Sequence, residues 1–338
     1  MTITRPITIL DVARAARVSY STVSRVVNNK DNIVPEKRAR VLEAIERLGY
    51  VPNMQARKLA GGRAQVVGLV VHDLWSSYQV QILRGIDEEI AAAEYDLMLY
   101  TSHGRAATES VHVATLTQGL AEGLLLLLPR GLSAYIDELT KRQFPYVLID
   151  HQGVPGSAPA VSATNRSGAY AATRHLLDLG HQRIGFITGK LEVDAARERL
   201  DGYRAALTDH GSRVDPELIV KGDFLRPRAL EAAHQLLELP DRPSAVFASN
   251  DVSALAVLEV ARECNLRVPD DMSLVGFDDI PEAAHVHPAL TTVRQPLEDM
   301  GRVAARALLS IMREPNRPPE RVELPTELIV RGSTCART

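Results

Sequence analysis

Two sets of residues have types and spacing that could do chemistry. In the first, short polar side chains stand just past apolar runs: Asp73 after Val66 to Val71, Ser102 after Asp96 to Tyr100, and Asp150 with His151 after Tyr146 to Ile149. Asn250 with Asp251 follow Ala245 to Ala248, and Asp278 with Asp279 follow Leu274 to Phe277. Ligands of open α/β sheets bind beyond the carboxyl ends of the strands, so these acceptors would gather in one hydrogen-bonding crevice. Asp and Asn also start turns and cap helices, and at any single position that alternative stays open. The second set, Tyr20, Ser21, Ser24 and Arg25, lies on the polar side of a short segment whose Val23, Val26 and Val27 face inward. Polar groups and a guanidinium on such a face suit the edges and phosphates of a nucleic acid.

Catalytic patterns are missing. No G-x-G-x-x-G, Walker A loop, G-x-S-x-G elbow, H-E-x-x-H or C-x-x-C occurs. Asp278-Asp279 could do acid-base work in principle, but neighbours on an extended segment point opposite ways. No catalytic residue, metal site or cofactor is expected. Cys264 and Cys335 are too few and too far apart for a disulfide framework or zinc knuckle.

The second set needs a helical platform. Thr8-Ile9-Leu10-Asp11 reads as a capping box opening a helix to Ala16, and Ser19 caps a second helix, Tyr20 to Asn28. Pro35 opens a third, which would bury Val41, Leu42, Ile45 and Leu48 and stop at Gly49. Two short helices about three residues apart, the second polar at its start, follow the helix-turn-helix plan. A three-helix bundle of no such function could show the same periodicity, but charge favours DNA. Residues 1–63 carry twelve Lys/Arg against five Asp/Glu, a net of +7, whereas the other 275 carry 27 against 37, a net of −10. The overall −3 hides a basic head on an acidic body.

The first set needs sheets. From Gln65 short apolar runs, also including Leu124 to Leu128 and Ile184 to Thr188, alternate with amphipathic stretches such as Gln79 to Ala93, Gly168 to Leu179, Asp194 to His210 and Ala229 to Leu237. That alternation predicts parallel sheets covered by helices on both faces. About 270 residues exceed one comfortable open sheet, and Gly153 to Ala163 is a plausible crossing between two lobes.

The words of the head, Ile9-Leu-Asp-Val-Ala-Arg-Ala-Ala-Arg-Val-Ser-Tyr-Ser-Thr-Val-Ser-Arg-Val-Val-Asn28 followed by Gly49-Tyr-Val-Pro-Asn-Met-Gln-Ala-Arg-Lys-Leu59, closely resemble the headpiece of LacI-type (LacI/GalR family) transcriptional regulators. The resemblance implies that the second helix enters the major groove. Tyr20, Ser21 and Arg25 would then read base edges, and Thr8, Ser19, Thr22, Ser24 and Asn28 would hold phosphates. Asn53 to Leu59 resembles the family's hinge helix, with Asn53 as cap, Ala56 allowing close approach and Leu59 as a minor-groove wedge. Arg17 departs from the family's usual Gly in the turn, which implies either left-handed strain or an altered turn.

The body resembles the same family, and beyond it the periplasmic sugar-binding-protein fold. Leu176-Leu-Asp-Leu-Gly-His-Gln-Arg-Ile-Gly-Phe-Ile-Thr-Gly189, Arg199-Leu-Asp-Gly-Tyr-Arg-Ala-Ala-Leu207, Ala248-Ser-Asn-Asp251, Val275-Gly-Phe-Asp-Asp279 and Leu290-Thr-Thr-Val-Arg-Gln-Pro296 carry the likeness. It implies effector contacts by Asp73, Asp150, Arg199, Asn250, Asp251, Asp278 and Gln295, with Tyr78 and Phe224 as apolar or stacking surface. Such equipment, with Trp75, suits a polyhydroxylated sugar; a purine or other nucleobase co-repressor would also use the aromatics. Ser76-Ser77-Tyr78-Gln79 and Ala163-Thr164 depart from the family's usual Asn-Pro-aromatic and Asp positions, and leave the ligand's identity open.

The expected fold class is therefore α/β: an N-terminal all-α helix-turn-helix headpiece and a two-lobed periplasmic-binding-protein-like body with parallel sheets. The expected division is 1–50 for DNA binding, 51–63 for hinge helix and linker, and 64–338 for effector binding and dimerisation. Its N-lobe takes about 64–162 and 293–323, its C-lobe about 163–292 and 324–338. The expected function is a repressor of carbohydrate-utilisation genes that binds a palindromic operator as a homodimer, with no heptad helix after Val330 to make a tetramer. A free-standing sugar-binding transport protein is the rival, disfavoured by the basic head and by an N-terminus without a signal-peptide core. No apolar run approaches a bilayer span, so the expected place is the cytoplasm, without membrane partners.

Overall fold

The computed structural model describes residues 7–27, 33–50, 64–151, 158–315 and 318–337. The head is a bundle of α1 (Ile9–Ala16), α2 (Tyr20–Val27) and α3 (Pro35–Leu48). At the start of α1 both the Thr8 amide and the Thr8 hydroxyl donate to Asp11 Oδ2, at 2.9 and 2.6 Å. Pro35 and a left-handed Gly49 bound α3 as its sequence predicts. The small core is Val12, Ala13, Ala16, Val23, Val26, Val41, Ala44 and Tyr50. Leu42 is not in it: the helical stripe runs through Val41 and Ala44, leaving Leu42 53% exposed.

The body holds two six-stranded sheets. The first takes β1 (Val66–Val71), β2 (Asp96–Thr101), β3 (Gly123–Leu127), β4 (Tyr146–Ile149), β5 (Ala160–Ala163) and β11 (Arg321–Leu324), in the order β11-β5-β4-β3-β1-β2, with every pairing parallel. The second takes β6 (Ile184–Ile187), β7 (Ile219–Val220), β8 (Ala245–Ala248), β9 (Ser273–Asp278), β10 (Thr291–Arg294) and β12 (Glu327–Ile329), in the order β12-β10-β9-β8-β6-β7. Among the described residues only β12 runs antiparallel, against β10.

Burial on both faces explains the unbroken apolar runs. In β1, Val67, Leu69 and Val71 pack toward α4 (Ser77–Ala92) and α12 (Leu297–Arg313), while Val66 and Val70 pack toward Val113, Leu116 and Leu139. The pair α4 and α12 meets at glycines. A Cβ on Gly85 would lie 1.9 Å from the Glu298 carbonyl oxygen, and one on Gly301 would lie 2.1 Å from that of Ile82. Backbone contact of this kind leaves no room for any side chain.

The chain crosses between the sheets at Thr164, at Gln295-Pro296 and at Pro325-Thr326. Residues 160–163, expected within a crossing, instead form β5, paired with β4 and β11, because Ala160, Val161 and Ala163 are small or β-branched residues buried in the sheet. The crossing itself is Thr164, whose hydroxyl accepts the Thr326 amide at 2.9 Å. Among the described residues no helix is long and apolar enough to cross a membrane.

Candidate functional site

The outer face of α2 is polar and accessible. Ser19 Oγ lies 2.8 Å from Ser21 Oγ and 2.9 Å from Thr22 Oγ1, and accepts the Thr22 amide at 3.2 Å, so one hydroxyl caps the helix and links its neighbours. Tyr20, Ser21 and Arg25 are exposed beside this network. Thr8 differs from expectation in one respect: its hydroxyl hydrogen is committed to Asp11, so a phosphate contact would require it to change partners. Arg17 takes φ 52°, ψ 49°, closing α1 in the left-handed region despite its side chain. Asn28, Asn53, Ala56 and Leu59 lie outside the described residues.

Between the sheets lies a cavity of about 560 Å³, at the strand ends where each sheet's order reverses. Seven of the nine residues expected as effector contacts line it: Asp73, Tyr78, Asp150, Arg199, Phe224, Asn250 and Asp278. The two missing ones stand behind the wall. Asp251 is fully buried, accepts the Ile280 amide at 2.9 Å and the Thr292 hydroxyl at 2.5 Å, and so ties β9 and β10 to the start of α10 (Asp251–Glu263). Burial, aided by Asp278, pushes its carboxyl far above the usual range. Gln295 sits on the crossing segment just after β10 and donates from Nε2 to Asp278 Oδ1 at 2.8 Å, which orients the wall residue from behind.

Arg199 anchors the floor from α8 (Asp194–Asp209). It is 2% exposed and stacks 3.8 Å above the Phe277 ring. Its Nε donates to Asn165 Oδ1 (2.9 Å), and one terminal nitrogen donates to the Ser249 carbonyl (2.6 Å) and Asp278 Oδ1 (3.3 Å). Burial pushes Asp278 up to about 7 although Arg199 pulls it down. Asp150 accepts the Tyr78 hydroxyl on Oδ2 at 2.7 Å, while its buried Oδ1 has no partner among the described residues. Asn250 Oδ1 caps α10 and its Nδ2 holds the Phe224 carbonyl at 3.1 Å. Asp73 accepts from His72, the Trp75 amide and Gln79, and the His72 hydrogen bond holds its carboxyl below the usual range.

Four wall residues, Leu128 (φ 51°), Asp150 (53°), Phe224 (73°) and Asp278 (118°), take a backbone conformation that L side chains disfavour. Strain gathered on one cavity marks a place where side-chain direction outweighs local stability. Asp278 and Asp279 do diverge: Asp279 pairs with Arg294 and Arg331, both at 2.7 Å. Ser102 and His151 do not line the cavity. Ser102 follows the edge strand β2, away from the order reversal.

Sequence reading missed His72, Gln79, Arg130, Asp223 and Arg226, which also line the cavity. Arg130 lies two residues beyond the apolar run Leu124 to Leu128, past Pro129, and is basic where the other strand-end residues are acids, amides or hydroxyls. Asp223 follows β7, whose two residues are too short to register as a run. Behind Arg130, the buried Glu109 accepts the amides of Arg130 and Gly131 and the Tyr135 hydroxyl, fixing that loop.

Residues 8–53 match the bacterial regulatory proteins of the lacI family, and residues 173–334 match the periplasmic binding protein-like domain. Catabolite control protein A of Priestia megaterium is 35% identical over 330 residues, covering 97% of this chain and 99% of that protein. The chain belongs to the lacI family. As a member it is a helix-turn-helix transcription regulator, and the relatives are regulators by name. Among solved structures, a complex of the transcriptional regulator CelR with cellobiose is similar at TM-score 0.75 and 36% identity, covering 97% of this chain and all of that one. The lac repressor dimer bound to operator and the anti-inducer ONPF is similar at TM-score 0.84 and 28% identity, covering 98% and 100%. This lacI-family chain therefore pairs a helical head with a two-lobed α/β body, as its sequence leads one to expect.

Proposed function

We propose that this lacI-family regulator is a repressor of carbohydrate-utilisation genes, which binds a palindromic operator as a homodimer in the cytoplasm and is released by a sugar in the interlobe crevice. Residues 1–50 read DNA, 51–63 form the hinge and 64–338 sense the effector and dimerise. Arg25, Tyr20 and Ser21 contact base edges, and Ser19, Thr22, Ser24, Thr8 and Asn28 hold phosphates. The hinge residues Asn53, Ala56 and Leu59 dock in the minor groove.

The single observation that carries the sugar reading is the floor of the crevice. There a buried Arg199, Asp278 and Asn250, and an Asp150 Oδ1 with no partner among the described residues, line the crevice together with Tyr78 and Phe224, with the Arg199 guanidinium 5.6 Å from the Phe224 ring centroid. Hydroxyls both donate and accept, so a polyol satisfies acids and a guanidinium together, while its ring faces lie on aromatics. The cellobiose complex of CelR supports the same class. Gln295, on a crossing segment and bonded to Asp278, supplies the link by which an occupied crevice changes the lobe angle and, across a dimer, the spacing of the two hinges. Asp251 acts behind it by fixing β9 and β10.

Two experiments test this. Selection of sites from random duplex DNA by the full chain yields a two-fold symmetric sequence that is retained against scrambled DNA at several salt concentrations. A thermal-shift screen of monosaccharides, oligosaccharides and nucleobases yields a saccharide that raises the melting temperature and releases that DNA. A nucleobase that strengthens DNA retention would replace the reading with a co-repressor.

A further inference from the structure

Two helices of the basic head end in the same hydrogen-bond pattern on different residues. After α3 the amides of Gly49 and Tyr50 donate to the carbonyls of Glu46 and Ile45, at 3.2 and 3.0 Å, and Gly49 supplies the left-handed turn at φ 62°. After α1 the amides of Arg17 and Val18 donate to the carbonyls of Arg14 and Ala13, at 3.2 and 3.1 Å, but here an arginine takes the left-handed position at φ 52°. Glycine closes a helix this way without steric cost. The arginine returns nothing to the fold: its side chain is exposed, and its guanidinium has no ion pair or hydrogen bond among the described residues. Arg14, three residues earlier, lies instead 3.6 Å from Asp11.

Glu94 and Gln143 also take the left-handed region, after helices of the body, so conformation by itself assigns no role. Position and charge do. Arg17 stands two residues before Ser19, the cap of α2, in the turn that joins the two helices. In helix-turn-helix complexes the second helix enters the major groove and the first crosses the DNA backbone, so the turn between them runs beside phosphates. A guanidinium offers paired N–H groups that match two phosphate oxygens, a contact that holds the duplex without reading its sequence.

We propose that Arg17 is a phosphate clamp, whose guanidinium binds a backbone phosphate beside the bases read by α2 and adds affinity without sequence preference. It is a further DNA contact beyond those assigned above, and it rests on α2 entering the major groove.

Binding of the full chain to the selected operator, and to a scrambled duplex of equal length, is measured over a range of salt concentrations. One phosphate contact contributes about 0.9 to the logarithmic salt slope, or roughly eightfold in affinity between 1 M and 0.1 M salt. Arg17→Gln keeps a long polar side chain in the same turn and removes only the charge. It should lower the slope by about 0.9 for each head on the DNA and weaken operator and scrambled duplex by the same factor, which shrinks as salt rises. Arg17→Lys, equally left-handed but charged, should keep the slope. Arg17→Gly should bind DNA as weakly as Arg17→Gln while its head melts no lower, a combination that a purely structural role would not produce. Equal slopes for Arg17→Lys and Arg17→Gln, or a loss confined to the operator, overturn the clamp. With Arg25→Ala run alongside, relaxed base preference there and an unchanged slope in Arg17→Gln overturn the clamp alone; DNA binding indifferent to both substitutions overturns the placement of α2 as well.

Discussion

The proposed role of Asp278 in holding the effector predicts that binding weakens as pH falls through the neutral range. Its carboxyl is buried at the cavity wall, and burial pushes its pKa up to about 7 against the pull of Arg199 and the Gln295 hydrogen bond, with Asp150 adding to the rise. Ligand hydroxyls that donate to Asp278 need the carboxylate. About nine-tenths of the protein carries it at pH 8 and about one-tenth at pH 6, because each unit below the pKa removes a factor of ten. Apparent affinity scales with the competent fraction, so the dissociation constant should rise roughly tenfold from pH 8 to pH 6, about 1.4 kcal/mol. Asp73, held ionised by His72, does not titrate in that window. The assay is calorimetric titration of the full chain with the saccharide found in the screen, in parallel with Asp278→Asn. That variant should bind more weakly and without pH dependence. A flat affinity from pH 6 to 8, or a slope that persists in Asp278→Asn, refutes the role given to this carboxylate. For the free protein the sign is opposite. A raised folded pKa keeps the proton on the native state after the unfolded chain has lost it, so this residue's contribution to stability falls as pH rises from about 4 to about 7.

Arg25→Ala should cost about 1 to 3 kcal/mol in operator affinity and relax preference at one guanine of each half-site, measured on single-base operator variants; equal weakening on all sequences would make Arg25 a phosphate contact. Arg17→Gly removes a left-handed side chain, a strain of roughly 1 to 2 kcal/mol partly offset by glycine's extra unfolded entropy. The head should melt higher by up to about 1 kcal/mol, and a head that loses stability contradicts the turn described. Gly301→Ala places a methyl 2.1 Å from the Ile82 carbonyl oxygen and must push α12 away from α4, so chemical denaturation should report a loss of about 1 to 3 kcal/mol or more.

Local patterns made most of the fold legible. The Thr8 to Asp11 cap, Pro35, Gly49 and the apolar runs of β1, β4 and β8 act through neighbours in sequence, and those signals survive in one dimension. Elements stabilised from a distance did not show. β5 and β7 are short and exist because adjacent strands pair with them, and periodicity cannot choose between stripes differing by one residue, so it points Leu42 inward where the fold exposes it. The crevice divides the same way. Asp73, Asp150, Asn250 and Asp278, at the ends of central strands, are on its wall; Ser102, past an edge strand, is not, and Arg130 and Asp223 reach it through loops. Asp251 and Gln295 have the right polarity and position in sequence, yet turn their side chains into the packing behind the wall, where they fix Asp278 and two strands.

The central claim is that crevice and helix-turn-helix are coupled. Coupling must be reciprocal, so the decisive measurement is a closed thermodynamic cycle on the full chain: operator affinity with and without saturating saccharide, and saccharide affinity with and without saturating operator. The account predicts the same factor on both sides, in the range of about 5 to 150-fold, with each ligand weakening the other. Operator affinity indifferent to a saccharide that demonstrably fills the crevice would contradict it.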